Sequence, residues 1–127
     1  MDLKDLEWKG DSMDNLCREK CEACRVGAPA ATDSDIEELS PQIPEWKILY
    51  EDERKLQRVF SFRNFAEAMD FAVKVGELAE AENHHPAIIT EWGRVTVTWW
   101  THAIRGLHRN DFIMAAKTDA IFAAGTH

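Results

Sequence analysis

Cationic side chains, cysteines and long apolar runs are all scarce in this sequence, and each scarcity excludes a class of protein. Lys and Arg number 15 against 23 Asp and Glu, so the formal net charge is -8. Phosphate backbones and anionic lipids attract cationic surfaces, so we expect neither nucleic acid nor a membrane as a ligand. No apolar run approaches the roughly 20 residues of a bilayer-spanning helix, and the first residues lack a signal-peptide pattern. We therefore expect a cytoplasmic protein.

The cysteines number only three and all lie near the N-terminus, at Cys17, Cys21 and Cys24. Cys21 and Cys24 form a CxxC pair to which Cys17 could add a third thiolate, which suggests a metal site. A closed zinc site takes four ligands, however, and no second CxxC or nearby histidine follows. Together with Met13 the cysteines also fall at helical spacing, so a short helix that buries them is the other interpretation. A disulfide scaffold is not implied.

The length of 127 residues and an apolar content of 45% predict one compact domain. Residues 1–31 mix charges with little apolar periodicity and end in a run rich in Gly, Ala and Pro, so we interpret them as an N-terminal arm, in part helical. Residues 32–127 form the predicted domain. In it, Ser34 and Glu37 predict a capping box for a short first helix that ends near Pro41.

Alternating apolar residues at 46–50 and 56–62 predict a hairpin, with a charged turn at 51–53. Asn64 then predicts the start of a long helix to about Glu82, with two apolar stripes. One comprises Phe65, Met69, Ala72, Gly76 and Ala79, and the other Phe71, Val75 and Leu78. Residues 88–92 and 95–100 predict a second hairpin around Gly93-Arg94, and a last helix begins at Arg109 or Asn110.

This order predicts an α+β fold, a two-layer sandwich in which a four-stranded antiparallel sheet carries helices on one face. The other face of such a sheet stays uncovered. Because Trp, Phe and Val recur on several strands, we expect that face or an edge to meet another subunit in a homo-oligomer, either a dimer or a tetramer.

Most of the side chains that could take part in catalysis lie in the segment 80–111, notably His84, His85, His102 and Asp111. Imidazole has the side-chain pKa nearest neutrality, so several imidazoles can donate and accept protons at working pH. Each histidine alone is more simply a structural or solvated residue. We interpret His108 and His127 as surface residues, since they lack motif partners.

The spacing of these residues resembles a family signature. Glu80, three spacer residues, His84-His85-Pro86, the aromatic Trp92, then His102 and Asp111 are similar to the motif of pterin-4a-carbinolamine dehydratases. The blocks EAENHHP, TEWGRVTVTWWTHAI and GLHRND, in that order, resemble the bacterial branch associated with phenylalanine hydroxylase. The similarity extends from about Trp46 to Asp119, and the layout of helices and hairpins is similar too.

The resemblance implies removal of water from a 4a-hydroxytetrahydropterin to give the quinonoid dihydropterin. Two proton movements suffice for this reaction, without metal or redox cofactor. By motif position, His84 and His102 would share the acid and base duties, His85 would hydrogen-bond the pterin, and Asp111 would fix an imidazole tautomer. The resemblance further implies supporting and substrate-binding roles for Trp46, Glu80 (holding His84), Pro86, Trp100 and Thr101.

Two other functions stay open at this point. His84, His85, His102 and Asp111 could be the ligands of a metal-dependent enzyme, although adjacent residues seldom ligate together. Alternatively, the domain could be a protein-binding or regulatory module, because animal members of the family also serve as dimerisation cofactors of a homeodomain transcription factor. A functional link to phenylalanine hydroxylase is implied by the resemblance as well.

Overall fold

The computed structural model describes residues 16, 18 and 19 and residues 30–125. Its helices and strands follow the predicted order. They are α1 (Asp33–Leu39), β1 (Lys47–Leu49), β2 (Lys55–Ser61), α2 (Phe65–Glu82), β3 (Ala87–Glu91), β4 (Arg94–Trp99) and α3 (Arg109–Ala124), with 3₁₀ turns at Ser40–Gln42 and His102–Ile104. Among these helices, none combines the length and apolar composition needed to cross a membrane.

The four strands form one antiparallel sheet in the order β1-β2-β4-β3. The two hairpins are therefore joined through β2 and β4, where Leu56 lies opposite Trp99. The turn of the second hairpin falls at Trp92-Gly93, one residue earlier than predicted. Gly93 has φ +74°, and a Cβ there would lie 3.2 Å from the carbonyl oxygen of Phe62, so glycine is needed for both reasons.

The core lies between the sheet and the helices. The alternation predicted at 56–62 is confirmed, since Leu56, Phe60 and Phe62 are all buried. Helix α3 packs against α2 and against strands β2 and β4, and every residue from Asn110 to Ala116 is buried. The helix layer and the sheet thus enclose the N-terminal turn of α3, where Asp111 lies.

Helix α1 begins two residues earlier than the predicted Ser34–Glu37 box. The Thr32 hydroxyl accepts a hydrogen bond from the backbone N–H of Asp35 at 3.1 Å, and the Asp35 carboxylate accepts one from the backbone N–H of Thr32 at 2.9 Å. Both pairs have the S/T-x-x-acid spacing, so the sequence pattern could not separate them. The apolar residues assigned to this region, Ile36, Leu39 and Ile43, are buried as predicted.

Helix α2 is capped by Asn64 as predicted, and its buried face takes Phe71 and Val75 from one predicted apolar stripe but only Ala79 from the other. The buried residues are Ala68, Phe71, Val75 and Ala79, and Leu78 packs against them. Phe65 and Met69, from the other stripe, are 46% and 40% exposed. The helix has alanines or glycine on several faces, so its apolar residues alone did not fix which side turns inward.

The apolar residues on which the oligomer prediction rested also point mostly inward. Phe60, Phe62, Val95, Val97 and Trp99 are all buried in the core. The opposite face of the sheet carries Val59 and Ile89, which flank Thr96 on adjacent strands and are 49% and 56% exposed. An uncovered apolar surface therefore exists, but different residues form it.

The expectation of a loosely held arm concerns residues that mostly lie outside the described part of the chain, as do Cys17, Cys21 and Cys24. Two described residues of this segment contact the domain. Leu16 is buried in the core cluster, and the Glu19 carboxylate accepts hydrogen bonds from the Arg109 guanidinium at 2.6 and 3.0 Å. At these positions the segment packs on the domain.

Candidate active site

The end of α2 separates the two adjacent histidines. Asn83 caps the helix in the left-handed conformation, with φ 53°, and the backbone N–H of His84 bonds back to the carbonyl of Ala79 at 3.1 Å. Pro86 then directs the chain into the extended backbone of β3. As a result the His84 side chain is buried, with 6% of its surface exposed, whereas His85 is 53% exposed.

A buried carboxylate anchors His84. Asp111 is fully buried at the start of α3, and its Oδ1 lies 2.7 Å from Nε2 of His84. Its Oδ2 accepts hydrogen bonds from the Thr101 hydroxyl at 2.7 Å and from the backbone N–H of His108 at 2.9 Å. Since a carboxylate only accepts, His84 donates from Nε2, and this bond fixes the tautomer of its neutral ring.

Trp99 forms the other support of His84. The two rings stack with centroids 5.7 Å apart and planes 5° apart, and the indole N–H of Trp99 donates to the hydroxyl of Thr118 at 3.1 Å. Trp99 is fully buried, on the same face of β4 as Val95 and Val97. Its contact with His84 was missed, because strand alternation says which face a residue occupies but not which helix end meets it.

Glu80 was expected to hold His84, but in the structure it pairs with His85. Its Oε2 lies 2.6 Å from Nε2 of His85, and both side chains are largely exposed. Glu80 lies on the last turn of α2, and the left-handed Asn83 turns the chain so that His85 faces the same side as Glu80. Exposed pairs of this kind contribute little stability, so the contact orients His85 more than it stabilises the fold.

His102 begins a 3₁₀ turn just beyond β4 and is exposed. Its ring contacts that of Trp100, with centroids 4.4 Å apart, and the Lys55 ammonium lies 4.2 Å from the Trp100 centroid. Thr101, between them, points inward to Asp111. The hydrogen bond from Thr101 to Asp111 therefore links the residue before His102 to the carboxylate that holds His84.

Trp46 lies elsewhere, so the structure does not bring it to this network. It is buried against Phe60, and its indole N–H donates to Oδ1 of Asp119 at 2.8 Å. Asp119 is about 12 Å further along α3 than Asp111, at 1.5 Å per residue. Burial raises the pKa of the Asp119 carboxyl above its ordinary 3.8, although the hydrogen bonds from Trp46 and Arg58 oppose this.

His108 is not a surface residue as expected, because it is buried and caps α3. Its Nδ1 accepts a hydrogen bond from the backbone N–H of Asn110 at 3.0 Å, and Asp111 completes the capping box with the His108 backbone. An acidic residue three positions after a helix start was the signal that could have indicated this cap. His127 lies outside the described residues.

The metal-site alternative gains no support from the described residues. Within residues 30–125 and at 16, 18 and 19, no three His, Cys, Asp or Glu side chains are grouped so that they could hold a metal ion. His84 and Asp111 bind each other, His85 turns outward to Glu80, and His102 contacts Trp100. The arrangement therefore supplies imidazoles whose rings are oriented by neighbouring side chains.

Comparisons with known proteins agree on one family. Residues 29–121 match the family model described as Pterin 4 alpha carbinolamine dehydratase. A protein of Nitrosococcus oceani named "Putative pterin-4-alpha-carbinolamine dehydratase" is 62% identical over 110 residues, which cover 86% of this chain and 97% of that protein. A protein of the same name from Syntrophotalea carbinolica is 60% identical over 110 residues, covering 86% and 98% of the two chains.

A solved structure is similar as well. It is described as a transcriptional coactivator/pterin dehydratase from Brucella melitensis, with 31% identity and a TM-score of 0.68. The match covers 73% of this chain and 98% of that chain. Sequence and structure comparisons therefore indicate the same family independently.

Proposed function

This chain belongs to the pterin 4 alpha carbinolamine dehydratase family, and we propose that it dehydrates a 4a-hydroxytetrahydropterin to the quinonoid dihydropterin. A base removes the proton from N5 while an acid protonates the hydroxyl on C4a. The C4a–O bond breaks, water leaves, and the electron pair released at N5 forms the N5=C4a double bond. The reaction is redox-neutral, and two positioned imidazoles are enough to carry it.

The observation that supports this proposal best is the anchoring of His84. A histidine whose ring is held by a buried carboxylate, at 2.7 Å, has the arrangement in which a carboxylate orients a catalytic imidazole. We therefore assign His84 as the base at N5. His102, exposed and in contact with Trp100, is the proposed acid for the departing hydroxyl, with the Trp100 ring as one wall for the flat pterin.

His85 has the proposed role of binding the pterin, and Glu80 orients it through the 2.6 Å contact. Glu80→Gln should raise KM about two- to tenfold with kcat retained, since only a binding contact is disturbed. Glu91→Gln is the matched control, because it removes another exposed carboxylate, one that pairs with Arg94 and not with a histidine. Equal KM values for the two variants would contradict the proposed role of His85 in binding the pterin.

The experiment that tests the function follows the absorbance of the 4a-hydroxy adduct as a pterin-dependent hydroxylase generates it. Wild-type protein should accelerate its decay, and a variant with His84 and His102 both changed to alanine should not, provided circular dichroism shows it folded. If the double variant kept wild-type turnover, the catalytic assignment would be wrong. A protein-binding role, the alternative drawn from the family, predicts partner capture by wild-type and double variant alike with no decay enhancement by either.

The finer biological setting is part of the proposal too. We expect the protein to act in the cytoplasm and to recycle the pterin of an aromatic amino-acid hydroxylase, with phenylalanine hydroxylase as the functional link. The exposed Val59 and Ile89 on the free face of the sheet, and Phe65 and Met69 on α2, support a homo-oligomer. A monomer at micromolar concentration by light scattering would contradict that expectation.

A further inference from the structure

Thr101 connects the two parts of the proposed site, which are the His84–Asp111 pair and the loop that carries His102. Its side-chain hydroxyl donates to Oδ2 of Asp111 at 2.7 Å, and Asp111 in turn holds His84. Its backbone, meanwhile, closes the loop that carries His102. We infer that Thr101 is a positioning residue that couples the His102 loop to the His84–Asp111 pair, and so sets the placement of both imidazoles.

The backbone part of this coupling is a two-residue bridge. The N–H of Thr101 donates to the carbonyl of Gly106 at 2.8 Å, and the N–H of Gly106 donates to the carbonyl of Thr101 at 3.3 Å. Between them, the 3₁₀ turn ends at Arg105, which adopts the left-handed conformation with φ 55°. The loop 102–105 is thereby tied at its base, and any shift of Thr101 moves His102 with it.

The side-chain part of the coupling is the buried hydrogen bond from the Thr101 hydroxyl to Asp111. Thr101 and Asp111 are both fully buried, so bulk solvent does not reach the Thr101 hydroxyl to compete for this bond. Of the donors on Oδ2, the His108 N–H belongs to the same helix turn as Asp111. The Thr101 hydroxyl is the donor that comes from outside this helix, two residues beyond the end of β4, and it therefore fixes the carboxylate relative to that strand. Thr101 would thus serve as a support for both histidines and not as a wall of the pterin site.

Two variants separate this role from simple packing. Thr101→Val keeps the shape and the backbone bridge but removes the hydroxyl, whereas Thr101→Ser keeps the hydroxyl. The inference rests on the proposed dehydration for its kinetic readout, where Thr101→Val should lower kcat about 10–100-fold, as loss of an orienting partner does elsewhere. KM should change by less than about threefold, because no substrate contact is removed. Thr101→Ser should keep most of kcat.

A second readout needs no activity. Nitrogen-15 NMR of the histidine rings should show His84 protonated at Nε2 in wild-type and Thr101→Ser protein, and a mixture of both neutral tautomers in Thr101→Val, since the carboxylate loses one of its anchors. A folded Thr101→Val protein with the wild-type tautomer would overturn the inference, whether or not kcat had changed. If wild-type protein showed no dehydration, the proposed function would fail while this readout still decided the coupling.

The wild-type protein supplies the deciding measurement if Thr101→Val fails to fold. The amides of Thr101 and Gly106 should be protected in hydrogen exchange, because both donate within the bridge. The His84 Nε2–H should be protected as well, because it donates to a buried carboxylate. Protection of all three supports the coupling, whereas exchange of the Thr101 and Gly106 amides at the rate of an exposed loop would overturn it.

Discussion

Replacing Asp111 by asparagine perturbs the buried centre of the site without changing its shape. Asp111 accepts from His84, from the hydroxyl of Thr101 and from the backbone N–H of His108. A backbone N–H can only donate, so the amide oxygen of an asparagine must face His108. Its NH₂ group then faces His84 and can bond only to a deprotonated Nε2. The ring is thereby driven into the opposite tautomer, with its proton on Nδ1.

The magnitudes follow from these contacts. A hydrogen bond to a charged group contributes about 1 kcal/mol more than a neutral one, and at least two such bonds are weakened, so Asp111→Asn should cost about 2 kcal/mol of unfolding free energy. For a chain of 127 residues, that lowers Tm by about 7 °C. A wrong tautomer of the base should lower kcat by about 10²–10⁴-fold, as in other enzymes with a carboxylate-oriented histidine.

The assay combines thermal unfolding with the decay of the 4a-hydroxy adduct at a temperature well below the Tm of the variant. Most of the loss should appear in kcat, since no contact to the substrate is removed. A folded Asp111→Asn protein whose kcat stays within about twofold of wild type would refute the reasoning, because the orientation of His84 would then have no part in turnover.

Three further predictions concern local structure. Because Asn83 is left-handed, Asn83→Ala should cost about 1 kcal/mol in chemical denaturation and Asn83→Gly less than about 0.5, and equal losses would contradict the role of the cap. Gly93→Ala should cost about 1–2 kcal/mol because φ is +74° and the new Cβ would crowd the Phe62 carbonyl; an unchanged denaturation midpoint would argue against this turn. Burial raises the pKa of Asp119 above its ordinary 3.8, so the native protein keeps this proton to higher pH than the unfolded protein does. The stability of the wild type relative to Asp119→Asn should therefore fall as the pH rises from 3.8 through the raised pKa. A relative stability that increased over this range would contradict the raised pKa.

The fold could be read from the sequence wherever one periodicity dominated. Alternation on β2 and β4 fixed the inward residues, and Asn64 fixed the start of α2. Where two solutions had the same pattern, the sequence could not choose between them. Thr32 and Ser34 both offered a cap for α1, and in the structure Thr32 forms it.

The contacts of the candidate site could be predicted only in part. The resemblance to a family signature predicted His84, His102 and Asp111 as site residues, but it paired Glu80 with the wrong histidine, because no local pattern specifies the turn at Asn83 that brings His85 to Glu80. The cap formed by His108 was missed, although the acidic residue three positions later could have indicated it. Trp46 shows the same limit, because a tryptophan before a strand can line a pocket or enter the core. Only the packing against α3, through Asp119, decides for the core.

The central claim is that the carboxylate-anchored His84 and the loop residue His102 together move protons on a pterin. The most direct measurement is the decay rate of freshly generated 4a-hydroxytetrahydropterin with wild-type protein and with folded His84→Ala and His102→Ala single variants. We predict clear acceleration by wild-type protein and a large loss in each variant. A decay rate that wild-type protein leaves at the spontaneous value would contradict the account.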